Sequence, residues 1–432
     1  MIKRVFYFLI FFMIFGELLM SAEIKHIEID GIKVPVVYEE ETILPTFNMQ
    51  LVFKKSGYVN DKDLSGLANL SAKLLDEGTK DLGASKFADE LDKRAISIDA
   101  STGFETFVIS ANSLKSEYHN TLKYLGLLLK DPNYSQENLS KIKTLQLGIL
   151  EREKNNFDIV AKNELMKLVF KGTPLENPEA GNPQSIEKIQ LNNIKDFLTN
   201  NLNLHKLIIV VGGDIKFEQF ANDIKPVLEN LSKKEEKTTD EEFKASSKSL
   251  SKTIKEDTKQ AYVYFASPLE IKANNKNNYL SKIASFILGG SGFGSRLMDT
   301  IRVQKGLAYS AYGYFSINKS YSFFTGYLQT KNKNADETIS LVKQIVDKFI
   351  NEGITQKELQ SAKDFLTGSE PLRSETLNQR LSRAFSLYYK GLPQAYLQTE
   401  LKNISNVKLG DINKYIKSHV EIKKLSFAIV RK

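Results

Sequence analysis

The side chains with the most chemical content are an arginine and a tyrosine seven positions apart. Arg302 and Tyr309 lie within GGSGFGSRLMDTIRVQKGLAYSAYGY, residues 289–314. A guanidinium can orient or polarise a carbonyl, and a phenol can donate to an oxygen that turns negative in a tetrahedral intermediate. Neither activates water without a metal or a base. Taken alone, the pair reads as an ordinary surface arginine and a half-buried strand tyrosine, and only the rest of the chain raises the functional reading. The spacing of Leu297, Met298, Ile301 and Val303 predicts a helix from Ser295 to Lys305, stopped at Lys305 and Gly306, with Arg302 in its last turn. The aromatic and small residues after Leu307 predict a strand with Tyr309 near its start. GGSGFG follows the apolar segment Tyr279 to Leu288, which reads as a helix. A phosphate-binding glycine loop needs a strand in that place, so the glycines mark a crowded helix-to-helix connection.

Other catalytic signals are sparse. There are four histidines, His26, His119, His205 and His419, and none stands within five residues of another, so no single helical turn carries a histidine pair for zinc. The chain has no cysteine, which removes thiol chemistry and disulfides, and no serine sits in a GxSxG turn.

The elements that must position Arg302 and Tyr309 belong to a duplicated chain. Ser185 to Val211 lies over Asn403 to Ile429 without a gap, with coincident apolar positions describing a helix and then a strand. SQENLSKIK from Ser135 similarly meets TQKELQSAK from Thr355, each opening a helix with a hydroxyl N-cap. His205 falls on Lys423 in this alignment, which marks a structural or solvent-facing position. A period this long is a domain duplication, and 432 residues exceed what one core usually serves. Helices mixed with short strands at 48–54, 103–110 and 321–330 predict an α+β fold of two homologous domains, 23–231 and 260–432. Between them, 232–259 is dense in Lys, Glu, Ser and Thr and reads as a solvated, charged linker.

With 41% hydrophobic and 26% charged residues the chain is globular, and its net charge of +8 is interleaved with acids, which does not indicate nucleic acid. At the N-terminus, Lys3 and Arg4 precede an apolar run from Val5 to Phe15, and Ala22 offers a cleavage position. Residues 1–22 are therefore predicted to be a signal peptide, with the mature chain exported to the periplasm or secreted and left without a membrane span.

The duplication, the segment GLANLSAKLLDEGTK from Gly66 and the segment IRVQKGLAYS from Ile301 together resemble the pitrilysin and insulinase-like zinc metallopeptidases, in the shorter form that includes mitochondrial processing peptidase. The resemblance covers about Ile24 to Val430. It implies two domains, each a mostly antiparallel sheet packed with helices, that form half of a clamshell chamber. In that family a GLAHxxEH helix supplies two zinc-binding histidines and a glutamate that activates water. Here the three positions are Asn69, Ala72 and Lys73, so a degenerate site and no metal in this chain are expected. Glu151 and Glu153 lie in the region of a further acidic ligand but are not assigned to it. The arginine and tyrosine survive, and the resemblance implies that Arg302 and Tyr309 contact the backbone of a peptide substrate near the scissile bond.

These expectations describe the non-catalytic subunit of a heterodimeric zinc endopeptidase. A partner with an intact HxxEH helix would supply zinc, and an unfolded peptide would be the substrate, held by strand addition to an edge such as Gln260 to Ala266. The alternative is a non-enzymatic scaffold subunit of a larger assembly.

Overall fold

Alternating apolar residues build two sheets in the computed structural model, which describes residues 22–235 and 240–432. The predicted signal segment thus lies, apart from Ala22, outside the described residues. The first sheet contains β1 (Glu23–Ile29), β2 (Ile32–Glu40), β3 (Thr46–Lys54), β4 (Ser97–Thr102), β5 (Thr106–Leu114) and β6 (Leu207–Gly213), in the order β1-β2-β6-β3-β5-β4. The second contains β7 (Phe243–Lys244), β8 (Ser251–Lys255), β9 (Gln260–Pro268), β10 (Ala308–Ile317), β11 (Tyr321–Lys331) and β12 (Ser426–Arg431), in the order β10-β11-β9-β12-β8 with β7 beside β11. Pairing is antiparallel except between β2 and β6, β12 and β8, and β11 and β7. Read from opposite ends, the two orders coincide: β2, β6, β3, β5 and β4 match β8, β12, β9, β11 and β10. The duplication is therefore one of topology, with β1 added to the first copy.

Two expectations change. The stretch 232–259 is not only linker, because β8 takes the place of β2 as a strand of the second sheet. In the first copy β1 covers the outer edge of β2, whose Val34, Val36 and Val37 are buried. β8 has β12 alone beside it and is largely exposed, so its sequence SKTIK needs no apolar alternation. The segment Gln260 to Ala266 is not an edge either: it belongs to β9, paired on one side with β11 and on the other with β12.

Each sheet has two apolar faces, and the two are covered differently. Helices Leu67–Leu75, Tyr118–Lys130 and Leu191–Asn201 pack on one face of the first sheet, against residues such as Met49, Leu51, Phe53 and Ile209. The opposite face presents Val37, Val52, Ile208 and Val210, and these meet Leu377, Leu381 and Ala384 of the helix Leu377–Tyr389, which comes from the second half. The exchange is reciprocal. Helix Phe157–Val169 of the first half places Leu165 and Val169 with Ala266, Phe323 and Ala428 of the second sheet. These two helices occupy equivalent places in the repeat, each following a helix with a hydroxyl N-cap: the Ser135 side chain accepts from Asn138 N, and that of Thr355 from Glu358 N. Burying one leucine in such an interface contributes roughly 1.5–3 kcal/mol, so the swap couples the stability of the halves. Polar anchors repeat the symmetry. Asp158 accepts from Gln329 Nε2 at 2.7 Å and from the Tyr264 hydroxyl at 3.3 Å, while Arg380 donates through Nε to Glu39 at 2.6 Å and also pairs with Glu41.

Candidate substrate clamp and degenerate metal site

Three local irregularities of backbone bring Arg302, Tyr309 and a residue not singled out in the sequence into one cluster. The predicted helix at Ser295 begins as an α-turn at Arg296–Met298 and continues as a π-helical turn, Asp299–Gln304. Its inner side is fixed by Leu297, Met298 and Ile301, all fully buried, while Val303 points to solvent instead of joining them. Arg296 ties the turn to the helix Gln356–Gly368 through Glu358, Nε to Oε1 at 2.6 Å. A π-turn widens the helix by one residue and re-aims the side chains after it, a device frequent at functional sites. Arg302 sits in it, and Gly306 at φ +63° ends it. Tyr309 lies where the β10 and β11 register slips between Ala308 and Ala311, a bulge that turns its side chain outward.

The third member is Phe293, between Gly292 at φ +67° and Gly294 at φ +90°. The glycine-rich connection is crowded as expected: a Cβ on Gly289 would stand 2.5 Å from the backbone N of Gly313 on β10. Phe293 is the exception in that run of small residues. The guanidinium carbon of Arg302 is 4.6 Å from the Phe293 ring centroid and 4.8 Å from that of Tyr309. Both rings are open to solvent, 68% and 81% exposed. Cation–π contact of this kind contributes about 0.5–1 kcal/mol at an exposed site and restricts the arginine. Among the described residues the Arg302 side chain has no ion pair or hydrogen bond, so its donors are available to a ligand.

The degenerate metal site is built differently. Gly66 at φ +95° starts the helix Leu67–Leu75, and the buried Asp61 carboxylate accepts from Gly66 N and Ala68 N, each at 2.8 Å. Lys73 donates through Nζ to Gln146 Oε1 at 2.5 Å, and Gln146 Nε2 donates to the Ala180 carbonyl at 2.8 Å. Gln146 is almost fully buried, whereas Glu151 is exposed. The residue that hydrogen-bonds Lys73 is therefore a neutral amide from the helix Gln136–Glu153, while Glu153 of the same helix acts on the ammonium through its charge alone. Asn69 lies beside Glu179, its own Oδ1 buried without a hydrogen-bond partner, and Ala72 is buried. Burial raises the Glu179 carboxyl, opposed by Asn69, Lys162 and Lys73; burial lowers the Lys73 ammonium, opposed by Glu153 and Glu179. A cation hydrogen-bonded into the place of a ligand, with its charge set against Glu153 and Glu179, does not fit zinc, which needs several deprotonated donors at one point. Among the described residues no three His, Cys, Asp or Glu side chains converge to hold a metal ion.

Comparison with known proteins agrees with this geometry. Residues 36–182 match Insulinase (Peptidase family M16), and residues 188–366 match the Peptidase M16 inactive domain. The chain is 42% identical over 412 residues to "Non-peptidase homolog YmxG" of Helicobacter pylori, covering 95% of each protein. It belongs to peptidase family M16. Within that family it is a non-catalytic member, in keeping with its match to the inactive-domain model and with a relative that is itself described as a non-peptidase homolog. The M16 fold is also seen in a Pseudomonas fluorescens M16 inactive domain structure, with TM-score 0.85 at 24% identity over 95% of this chain and 98% of that one. A chain of complex III2 from Candida albicans superposes with TM-score 0.76 at 16% identity, over 95% of this chain and 96% of that one. Among the described residues no helix is long and apolar enough to cross a membrane.

Proposed function

We propose that this M16 chain is the substrate-binding, non-catalytic subunit of an exported heterodimeric zinc metalloendopeptidase. A homologous partner with an intact HxxEH helix would hold the zinc and the general base, and this chain would close the other half of a chamber around an unfolded peptide. The supporting observation is the cluster of Arg302 with Phe293 and Tyr309, exposed, pre-arranged by a π-turn and a bulge, and without an internal partner for the guanidinium. A protein that had kept only the fold would gain little from holding two large rings and a cation at the surface. In the complex, Arg302 would orient a substrate carbonyl and the Tyr309 hydroxyl would donate to the developing oxyanion. The test is peptide cleavage with zinc by this chain alone, by an HxxEH relative alone and by the mixture. Activity confined to the mixture and abolished by chelation is expected, and cleavage by this chain alone would overturn the reading.

A second reading, a structural subunit of a larger assembly, is supported by the likeness to a complex III2 chain. It predicts that the mixture is inactive and that this chain co-purifies within a larger particle.

A further inference from the structure

The second half contains a cavity of about 620 Å³ at the place that matches the degenerate metal site of the first. Its walls are the helix Asn278–Ser285 with its π-helical continuation Phe286–Gly290, strand β10, and the helices Gln356–Gly368, Leu377–Tyr389 and Tyr396–Asn406. Its chemistry is not that of the first site. Four cations line it, Lys282, Arg373, Arg383 and Lys390, against one acid, Glu400. Glu400 is already paired with Lys282 at 2.8 Å. Arg383 pairs through Nη2 with Glu370, whose carboxylate oxygens are buried without a hydrogen-bond partner, and its own Nη1 is buried without one as well. Lys390 is half-buried, has no hydrogen bond from its ammonium among the described residues, and is held below the usual lysine range by burial, with Glu105 and Glu400 opposing. The remaining wall is apolar and aromatic, including Phe286, Leu387, Leu392 and Tyr396.

A buried guanidinium nitrogen without a partner is unfavourable, and the ammonium of Lys390 in the same cavity, which has no ion pair, adds positive field, so the cavity favours an anion. The guanidinium and ammonium select a carboxylate, and the apolar wall selects the body that carries it. We propose that this cavity binds a carboxylate borne on an apolar body. The source is either the C-terminal end of a peptide or a free apolar acid. Because binding is measured on this chain alone, the proposal stands apart from the heterodimer reading.

The experiment is calorimetric titration of the purified chain with three probes: N-acetyl-Phe-Leu with a free C-terminus, the same peptide as its amide, and octanoate. Each is repeated with Arg383→Gln and Lys390→Gln. The free peptide binding at least about tenfold more tightly than its amide, and about tenfold more weakly to both variants, supports a peptide end as the source. Octanoate binding with the same dependence on the two cations, in the absence of peptide binding, supports a free acid. Acid and amide binding alike, binding that survives both substitutions, or no binding at millimolar concentration overturns the proposal. Removing Arg383 leaves Glu370 without its partner, so if that variant unfolds, Lys390→Gln decides, since it breaks no ion pair.

Discussion

Lys73 Nζ donates to Gln146 Oε1 at 2.5 Å, across the place where the resemblance puts a zinc ion. An ammonium, an amide and a backbone carbonyl now satisfy one another where a metal would need lone pairs from several ligands. The first prediction is that chelation leaves the melting temperature of this chain unchanged in thermal unfolding. Replacing Lys73 with Ala strips the buried Gln146 oxygen of its donor and is expected to destabilise by about 1–3 kcal/mol in denaturant titration. A fall of several degrees on chelation would mean that a metal does bind.

Arg302→Ala and Tyr309→Phe bear on the clamp. In the zinc-dependent mixture each is expected to lower turnover by about 10²–10³-fold while association with the partner is retained. Neither should shift the stability of the isolated chain by more than about 0.5 kcal/mol, because Tyr309 is 81% exposed. Unchanged turnover in both would sink the clamp and favour the scaffold.

Glu39 has 2% of its side-chain surface exposed and depends on Arg380 from the other half. Burial raises its carboxyl, and Arg380 opposes that shift. Arg380→Ala leaves a buried, uncompensated carboxylate and is expected to cost about 3–5 kcal/mol near neutral pH, read from denaturant unfolding. A loss below about 1 kcal/mol would show that the anchor is not holding the halves together.

The exchanged helices predict mutual dependence. Residues 23–232 expressed alone leave Val37, Val52, Ile208 and Val210 uncovered, and residues 240–432 alone expose Leu377, Leu381 and Ala384. Each half alone should aggregate or lack a cooperative transition, and co-expression should restore a stable pair. A sharp two-state melt for either half alone would refute this.

Asp61 supplies a pH test. Burial pushes its carboxyl up to about 7, against the backbone N–H groups of Ala68, Gly66 and Leu67, which pull it down. The folded chain therefore binds this proton more tightly than the unfolded chain, whose aspartate titrates near 4. The stability linked to it is complete below about pH 4 and is lost as pH rises through about 7. Asp61→Asn cannot ionise, so the melting temperature of the natural chain should fall relative to that variant between pH 5 and pH 8. Parallel pH profiles would exclude Asp61 as the titrating group.

The duplication, the N-caps at Ser135 and Thr355, and the loss of the zinc ligands at Asn69, Ala72 and Lys73 were legible in the sequence. Period, cap chemistry and ligand type are properties of residues and their spacing. β8 was not legible, because an exposed edge strand buries too little to impose an apolar alternation. Gln146 was missed because a single glutamine becomes informative only when its helix faces Lys73, 73 positions earlier. Phe293 carried one available signal, a large apolar residue in a run of small ones, but its contact with Arg302 depends on how the glycine turn folds back.

The sequence by itself determined that this is a doubled α+β chain with Asn69, Ala72 and Lys73 where the resemblance puts zinc ligands and base, and no arrangement in space turns Ala72 into a base or Lys73 into a ligand. Tertiary structure alone decided which groups fill the place of the metal, which helices cross between the halves, and how Arg302 meets Tyr309 and Phe293. The last of these depends on a π-turn, a register slip and left-handed glycines, where one residue of backbone re-aims a side chain, and the others on contacts between residues far apart in the chain, which local pattern does not record.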